Sequence, residues 1–216
     1  MKRIFISSMI MLTAMGLAFA QSARYTEAMQ KNIAALDSVR TKEGYQQLAN
    51  TFERIANAER TEWHPYYYAG YALVMQGYAE QDITKLDPIL DKADEVLAMA
   101  ASLQANHSEI TNVQAMVLQG RMRVDMSRAM TLGPKASEML QKALGQQPSG
   151  NPRVMMNLAQ NMYYTPEPFG GSKTKGLELM QKALAQYDSF QPATPLDPNW
   201  GKAYVARVLQ QWTAAK

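Results

Sequence analysis

Apolar residues recur every three or four positions along most of the chain, which is the spacing of one face of a helix. Strand signals are poor, and the strong helix formers Ala, Leu, Met, Gln, Lys and Glu dominate. Proline and glycine interrupt the pattern at intervals, and the segments between them predict an all-α protein. Eight or nine helices are expected, at about 23–38, 42–59, 65–79, 83–103, 108–130, 134–146, 152–163, 172–187 and 198–214.

One pattern of small and large residues repeats along the chain. It reads small-x3-large-x2-Ala and begins at Ala93, Ala136 and Gly176, so the starts are 43 and 40 residues apart. A period of about 40 residues built from helix pairs is typical of a solenoid. Each pair then has one apolar face that it buries against the next pair.

This pattern resembles the second helix of a tetratricopeptide (TPR) repeat. The first-helix pattern of that repeat is similar to Tyr66-x2-Ala69-Gly70-x2-Leu73 and to Met155-x2-Leu158-Ala159-x2-Met162. The resemblance covers most of residues 42–210, although these units are longer than the roughly 34 residues of a TPR repeat. It implies a TPR-like α-solenoid of stacked antiparallel helix pairs, in which the first helix of each pair lines a concave groove.

The last predicted helix, about 198–214, has the pattern of a capping helix. Its apolar residues share one face, and a solenoid needs a terminal helix to cover its last apolar surface. Pro198 is expected in its first turn with Asp197 as the N-cap. Pro134 is likewise expected in the first turn of its own helix.

The first 20 residues have the pattern of a signal peptide. Lys2 and Arg3 precede a mostly apolar run, and Ala18-Phe19-Ala20 gives the small-x-small pattern of a cleavage site. The apolar run is shorter than the roughly 20 residues of a membrane span, which disfavours the alternative of an uncleaved anchor. We expect cleavage after Ala20, one TPR-like domain over 21–216, and a periplasmic or secreted protein. The region around Asn151–Gly201 also resembles exported TPR-like proteins of Bacteroidetes-type bacteria, which implies the same location.

Charge and cysteine content narrow the possible functions. The chain has 22 Lys and Arg against 19 Asp and Glu, and two of the cations lie in the predicted signal, so the remainder is nearly neutral. A nucleic-acid partner is therefore not expected. Cysteine is absent, which excludes disulfides and thiol chemistry. No second long apolar run predicts a membrane span in the mature chain.

Polar and aromatic residues of the predicted first helices are the first candidate partner-binding residues. Arg153, Asn157 and Gln160 are spaced along one helix, and an arginine there can hold a peptide carboxylate by two hydrogen bonds. The alternative is that Arg153 pairs locally near a helix end. Tyr67 and Tyr71 share a face and can stack on a peptide or a sugar, or pack between neighbouring repeats.

The loop Phe169-Gly170-Gly171 is the second candidate. Its glycines permit a positive φ, and Ser172 can cap a following helix whose N-terminus is then open to an anion. The alternative is a structural turn in which Phe169 tucks into the helix pair.

These residues predict a protein that acts by binding. His64 and His107 are far apart in sequence, and neither has a metal-ligand spacing, so we expect no metal. No acid/base pair or nucleophile set is apparent either, so we expect no enzymatic activity and no cofactor. The main interpretation is a scaffold or adaptor that binds a peptide or protein segment of the bacterial envelope in its groove. The alternative is a periplasmic solute-binding component that passes a small ligand to a transporter. The sequence gives neither the partner nor the oligomeric state.

Overall fold

The computed structural model describes residues 22–214, and over this range the chain folds into nine α-helices without a strand. Short 3-10 turns follow α3, α5 and α7, at Ile83–Lys85, Met126–Arg128 and Glu167–Phe169. The all-α prediction is therefore confirmed. The helices are α1 (22–36), α2 (Lys42–Ala58), α3 (Trp63–Ala79), α4 (Leu86–Leu103), α5 (Ser108–Arg121), α6 (Ala129–Gln146), α7 (Pro152–Tyr164), α8 (Lys173–Ser189) and α9 (Lys202–Ala214).

The helices pack in antiparallel pairs, and the first helices of successive pairs run parallel to one another. Trp63 at the start of α3 contacts His107 before α5, with 4.4 Å between ring centroids. At the other end, Arg123 just after α5 donates to the carbonyl oxygen of Gly77 in α3 at 2.9 Å. Helices α5 and α7 are parallel as well: at their amino-terminal ends, Asn151 before α7 donates to Ser108 of α5 at 3.1 Å.

The small residues of the repeated pattern lie where paired helices pack together. Helices α4 and α6 each have 18 residues and begin 43 residues apart, as the pattern predicted. Their alanines at 93 and 136 are fully buried. A Cβ on Gly70 would lie 2.5 Å from the Cγ atom of Leu97, so these two helices can approach only because position 70 has no side chain.

Three helix boundaries differ by four residues or more from the predicted ones. The predicted helix 108–130 ends at Arg121, since Asp125 caps the next 3-10 turn by accepting from the backbone N–H of Ser127. Helix α6 then begins at Ala129, so Pro134 lies inside it and not in its first turn. Its missing N–H removes one hydrogen bond near the start of the helix.

The last helix begins at Lys202 and not at Pro198, because Asp197 binds elsewhere. The Asp197 carboxylate accepts from the backbone N–H of Thr194 at 2.8 Å and lies 2.8 Å from His64 Nε2 in α3. Helix α9 nevertheless buries an apolar face against α8. Its role as the capping helix stays a prediction.

The predicted signal peptide, residues 1–20, lies outside the described residues. Within 22–214, none of the helices is long and apolar enough to cross a membrane.

Candidate functional site

Residues 190–201, which we call the strap, link α8 to α9 and lie against the inner helix α3. The Trp200 indole N–H donates to the Tyr67 hydroxyl at 2.9 Å, and the Trp200 ring stacks on Tyr71 with 4.3 Å between centroids. Tyr67 and Tyr71 are buried, at 0% and 8% exposure. Both tyrosines are therefore packed inside the protein, as in the second of the two alternatives, and the strap lies in front of them.

Arg153 is enclosed by protein and forms an ion pair with Glu109 of α5. Its Nε atom donates to Glu109 Oε1 at 2.8 Å, its Nη2 atom lies 2.7 Å from the same oxygen, and its side chain is 0% exposed. Burial alone would lower the pKa of Arg153, but Glu109 reverses this and raises it. Phe190 of the strap covers the guanidinium at 4.4 Å. In this conformation the ion pair of Arg153 links α7 to α5. Contact between Arg153 and a partner therefore requires the strap to move.

Asn157 and Gln160 belong to a chain of hydrogen bonds that crosses three helices. Asn157 Nδ2 donates to Asn112 in α5 at 2.8 Å, and Gln160 Nε2 donates to Asn157 Oδ1 at 3.2 Å. The Tyr204 hydroxyl of α9 then donates to Gln160 Oε1 at 2.9 Å. The structure thus brings these two predicted residues together, and the chain leads from the buried core to the surface at Tyr204.

Three aromatic residues of α7 and α9, Tyr163, Tyr164 and Trp212, pack together near the point where this chain reaches the surface. Together with Tyr204, which ends the chain of hydrogen bonds, we call them the aromatic cluster. Tyr163 and Trp212 stack face to face, with 3.7 Å between centroids and 5° between planes. Tyr164 stands nearly perpendicular to both, and its hydroxyl accepts from the Trp212 indole N–H at 3.4 Å. Tyr164 is 68% exposed and Tyr204 is 37% exposed, which is high for large aromatic side chains.

Two cations lie beside the aromatic cluster. Lys173 Nζ is 5.9 Å from the centre of the Tyr163 ring, and the Arg207 guanidinium is 5.5 Å from that of Tyr204. Burial, and then the neighbouring Tyr164, raise the pKa of Tyr204 against the opposing effect of Arg207, so this phenol is neutral at pH 7. The cluster can therefore stack against a flat apolar ligand while the cations pair with acidic groups at its edge.

The sequence builds this cluster by allowing α7 and α8 to approach closely. A Cβ on Gly176 would lie 2.7 Å from the Cβ of Tyr163, so a side chain at 176 would displace Tyr163 from its place. Sequence reasoning recognised the apolar face of α9 but missed the contact of Trp212 with the tyrosines of α7. The available signal was Tyr204 and Trp212, eight residues apart on one face, together with the adjacent tyrosines at 163 and 164.

The loop at Gly170-Gly171 has a structural role that can be seen directly. Gly170 has φ +87°, and a Cβ on Gly171 would lie 1.7 Å from the carbonyl oxygen of Thr165. Ser172 caps α8 by accepting from the N–H of Lys175 at 3.3 Å, as predicted. The expectation that Phe169 tucks into the helix pair is wrong, since its side chain is 63% exposed. A ligand role for this loop stays a prediction.

Metal-ligating side chains do not gather in the part of the chain that the structure describes: no group of three or more His, Cys, Asp or Glu is placed to hold an ion there. His64 is bound to Asp197. The ring of His107 packs against Trp63.

Comparison with protein-family models and with characterised proteins gives no match. A solved structure does match: the HusA haemophore from Porphyromonas gingivalis is 33% identical in sequence, with a TM-score of 0.80. The alignment covers 89% of this chain and 94% of that chain. The source is one of the Bacteroidetes, the group that the sequence resemblance implied. At this identity and coverage, the chain belongs to the same family as the HusA haemophore.

Proposed function

We propose that this protein is an exported carrier that binds haem. The observation that supports this most is its 33% identity to a haemophore over 94% of that protein's length. The proposal favours the interpretation as a small-ligand carrier over that as a peptide adaptor. As in both interpretations, the protein acts by binding and has no enzymatic activity. It includes a signal peptide cleaved after Ala20 and a single domain over 21–216 that works in the periplasm or outside the cell.

The aromatic cluster is the site that we assign to haem. Haem is a flat aromatic macrocycle with two carboxylate arms, so it needs an apolar face to stack on and cations at its edge. Tyr164 offers an exposed ring supported by the Tyr163–Trp212 stack. Lys173 and Arg207 lie against the rings of Tyr163 and Tyr204, where they can pair with the carboxylates.

A second candidate function is peptide binding on the inner face of a TPR-like solenoid. The strap itself favours it, because this extended segment already occupies the face of α3. The Tyr68 hydroxyl donates to the Leu196 carbonyl oxygen at 2.9 Å, and Leu196 is buried. A partner segment would have to displace the strap to reach Tyr67, Tyr71 and Arg153.

Haem titration of residues 21–216, followed by absorbance, tests the first proposal. The informative variant is Tyr164→Ser, and the matched control is Met126→Ser, which removes an apolar side chain of similar exposure, 74%, from a different helix pair. We expect the wild type and the control to bind alike. Loss of one aromatic contact should weaken binding by up to about tenfold in Tyr164→Ser.

The outcomes distinguish whether the protein binds haem from where on the protein haem binds. A wild type that does not bind haem would contradict the haem carrier itself. A wild type that binds haem with an affinity unchanged by Tyr164→Ser would keep the function and move the site away from the aromatic cluster.

A further inference from the structure

The hydrogen bonds behind Tyr204 all run in one direction. The Tyr204 hydroxyl donates to Gln160 Oε1 at 2.9 Å, and Gln160 Nε2 donates to Asn157 Oδ1 at 3.2 Å. Asn157 Nδ2 in turn donates to Asn112 Oδ1 at 2.8 Å. We call the side-chain amides of Gln160, Asn157 and Asn112 the amide relay. Every donor points into the protein, so the hydroxyl hydrogen of Tyr204 is turned away from the surface.

The inner end of the amide relay is incomplete. Asn112 is 0% exposed, and its Nδ2 atom has no hydrogen-bond partner among the residues that the structure describes. A buried amide N–H without an acceptor is unfavourable, and such groups are rare in folded proteins. The observed direction of the relay therefore leaves a donor unsatisfied at its buried end.

The amide relay can reverse without losing an internal hydrogen bond. An amide has a donor on one side and an acceptor on the other, so half a turn exchanges the two. After this change in all three amides, Asn112 donates to Asn157, and Asn157 donates to Gln160. Gln160 then donates to the Tyr204 oxygen, which leaves the hydroxyl hydrogen free to point outwards. The group without a partner is now a buried carbonyl oxygen, which proteins tolerate more readily than an N–H.

A cation lies beside the outer end of the amide relay. The guanidinium of Arg207 is 5.5 Å from the centre of the Tyr204 ring, three residues earlier on α9. Arg207 is exposed and forms no ion pair with another described residue, whereas Lys202 of the same helix pairs with Asp188 at 2.8 Å. A guanidinium and a hydroxyl donor placed together are suited to bind an anionic oxygen.

We propose that Tyr204 and Arg207 together bind one carboxylate of haem, and that the amide relay reverses so that Tyr204 donates to it. This inference rests on the proposed function and names the residues that select an acidic ligand. Arg207 supplies the charge, and the hydroxyl supplies a hydrogen bond of defined direction. Tyr204 remains a neutral phenol at pH 7, so it has a hydrogen to donate.

Titration of residues 21–216 with haem and with haem dimethyl ester, in the same detergent solution, tests the proposal. The ester keeps the macrocycle but lacks the two negative charges. The test variant Tyr204→Phe removes only the hydroxyl. The matched control is Tyr45→Phe in α2, which also removes a tyrosine hydroxyl that donates a hydrogen bond, at 3.0 Å to the Val39 carbonyl oxygen. Circular dichroism establishes that all variants are folded.

We expect the wild type and the control to bind haem more tightly than the ester. In Tyr204→Phe the affinity for haem should fall by about tenfold or more, since a hydrogen bond to a charged group is lost, and the affinity for the ester should not change. Equal affinities of the wild type for the two ligands, or a full preference for haem in Tyr204→Phe, would overturn the inference while haem binding itself stands. A wild type that binds neither ligand would contradict the haem carrier and this inference with it.

Variants of Gln160 test the reversal separately. In Gln160→Glu the side chain can only accept, so the Tyr204 hydroxyl stays turned inwards, and the preference for haem should be lost as in Tyr204→Phe. Gln160→Met has no such acceptor and should keep the preference. The double variant Gln160→Glu/Tyr204→Phe should bind haem no more weakly than Tyr204→Phe. A further loss in the double variant would mean that the added charge repels the ligand directly, which would overturn the reversal.

Discussion

The indole ring of Trp212 lies parallel to the phenol ring of Tyr163, with 5° between their planes. This contact joins the last helix to α7, two helices back along the chain. It also supports the exposed Tyr164 ring, on which we place haem.

The Trp212→Ala variant should be strongly destabilised. Trp212 is 5% exposed, and truncating a buried tryptophan costs about 3–5 kcal/mol in the free energy of unfolding. Tyr164→Ser should cost less than about 0.5 kcal/mol, because most of that side chain is already in water. Urea denaturation of both variants measures the difference, and similar losses in the two would contradict the assigned packing.

Breaking the Arg153–Glu109 pair on one side should cost more than removing both charges. Arg153→Met leaves the Glu109 carboxylate buried without its cation, at a cost of about 3–5 kcal/mol. In Arg153→Met/Glu109→Gln no unpaired charge remains, so much of that loss should be recovered. The double-mutant cycle is read by chemical denaturation, and a double variant less stable than Arg153→Met would refute this account.

The same ion pair affects any test of Arg153 as a partner-binding residue. A variant at this position changes the stability of the α5–α7 contact as well as the groove. Loss of a partner in such a variant is informative only when its circular dichroism and melting temperature match those of the wild type.

Stability should fall as the pH drops below about 6.5 in part because of His107. Burial lowers the pKa of His107, more than Glu109 and Asp197 raise it, and His64 adds to the lowering. The unfolded chain therefore binds this proton more readily, with an ordinary pKa of about 6.5. The stability that the neutral ring contributes is complete above that pH and is lost as the pH falls towards the lower folded-state value.

Thermal unfolding of the wild type and His107→Gln between pH 8 and pH 5 measures this contribution. The variant should show a shallower loss of stability with acidification, and carboxylates that titrate at lower pH act equally in both proteins. If the melting temperatures of the two proteins fell equally with pH, His107 would make no such contribution to stability.

Two glycines should respond to alanine in opposite ways. Gly171→Ala places a Cβ against the Thr165 carbonyl oxygen, so the turn before α8 has to shift and the protein should lose stability. Gly145 lies in α6 with no atom within 4 Å of an added Cβ, so Gly145→Ala should stabilise the helix by about 0.5–1 kcal/mol. Melting temperatures of both variants check this, and a rise in Gly171→Ala would contradict the close approach of Gly171 to Thr165.

The sequence predicted the helices well because their apolar faces follow a regular period. The repeated spacing at Ala93 and Ala136 marks the buried face of α4 and of α6. The boundary at Arg121 was missed because no proline or glycine follows it before Gly133, and the break comes from Asp125 binding the backbone of its own turn. Local hydrogen bonds of this kind compete with a helix without any proline or glycine to mark them.

The site could be predicted only in part. Arg153, Asn157 and Gln160 were predicted on one helix, and the structure connects Asn157 and Gln160 to Tyr204. The aromatic cluster could not be found from one helix, since Tyr163 and Trp212 meet only after α9 has packed on α8 and brought Trp212 against Tyr163. Glu109 was overlooked as the partner of Arg153 because their contact spans 44 residues of sequence.

The strap has a consequence for how the chain folds. A stack of helix pairs can form pair by pair from either end, since each unit contacts only its neighbours. Here the hydrogen bond of Tyr68 requires Leu196, and that of Tyr67 requires Trp200. These contacts span 128 and 133 residues of sequence. Contacts between such distant residues slow folding and tie the two halves into one cooperative unit. The amino-terminal pairs therefore cannot reach their final packing until nearly the whole chain is available.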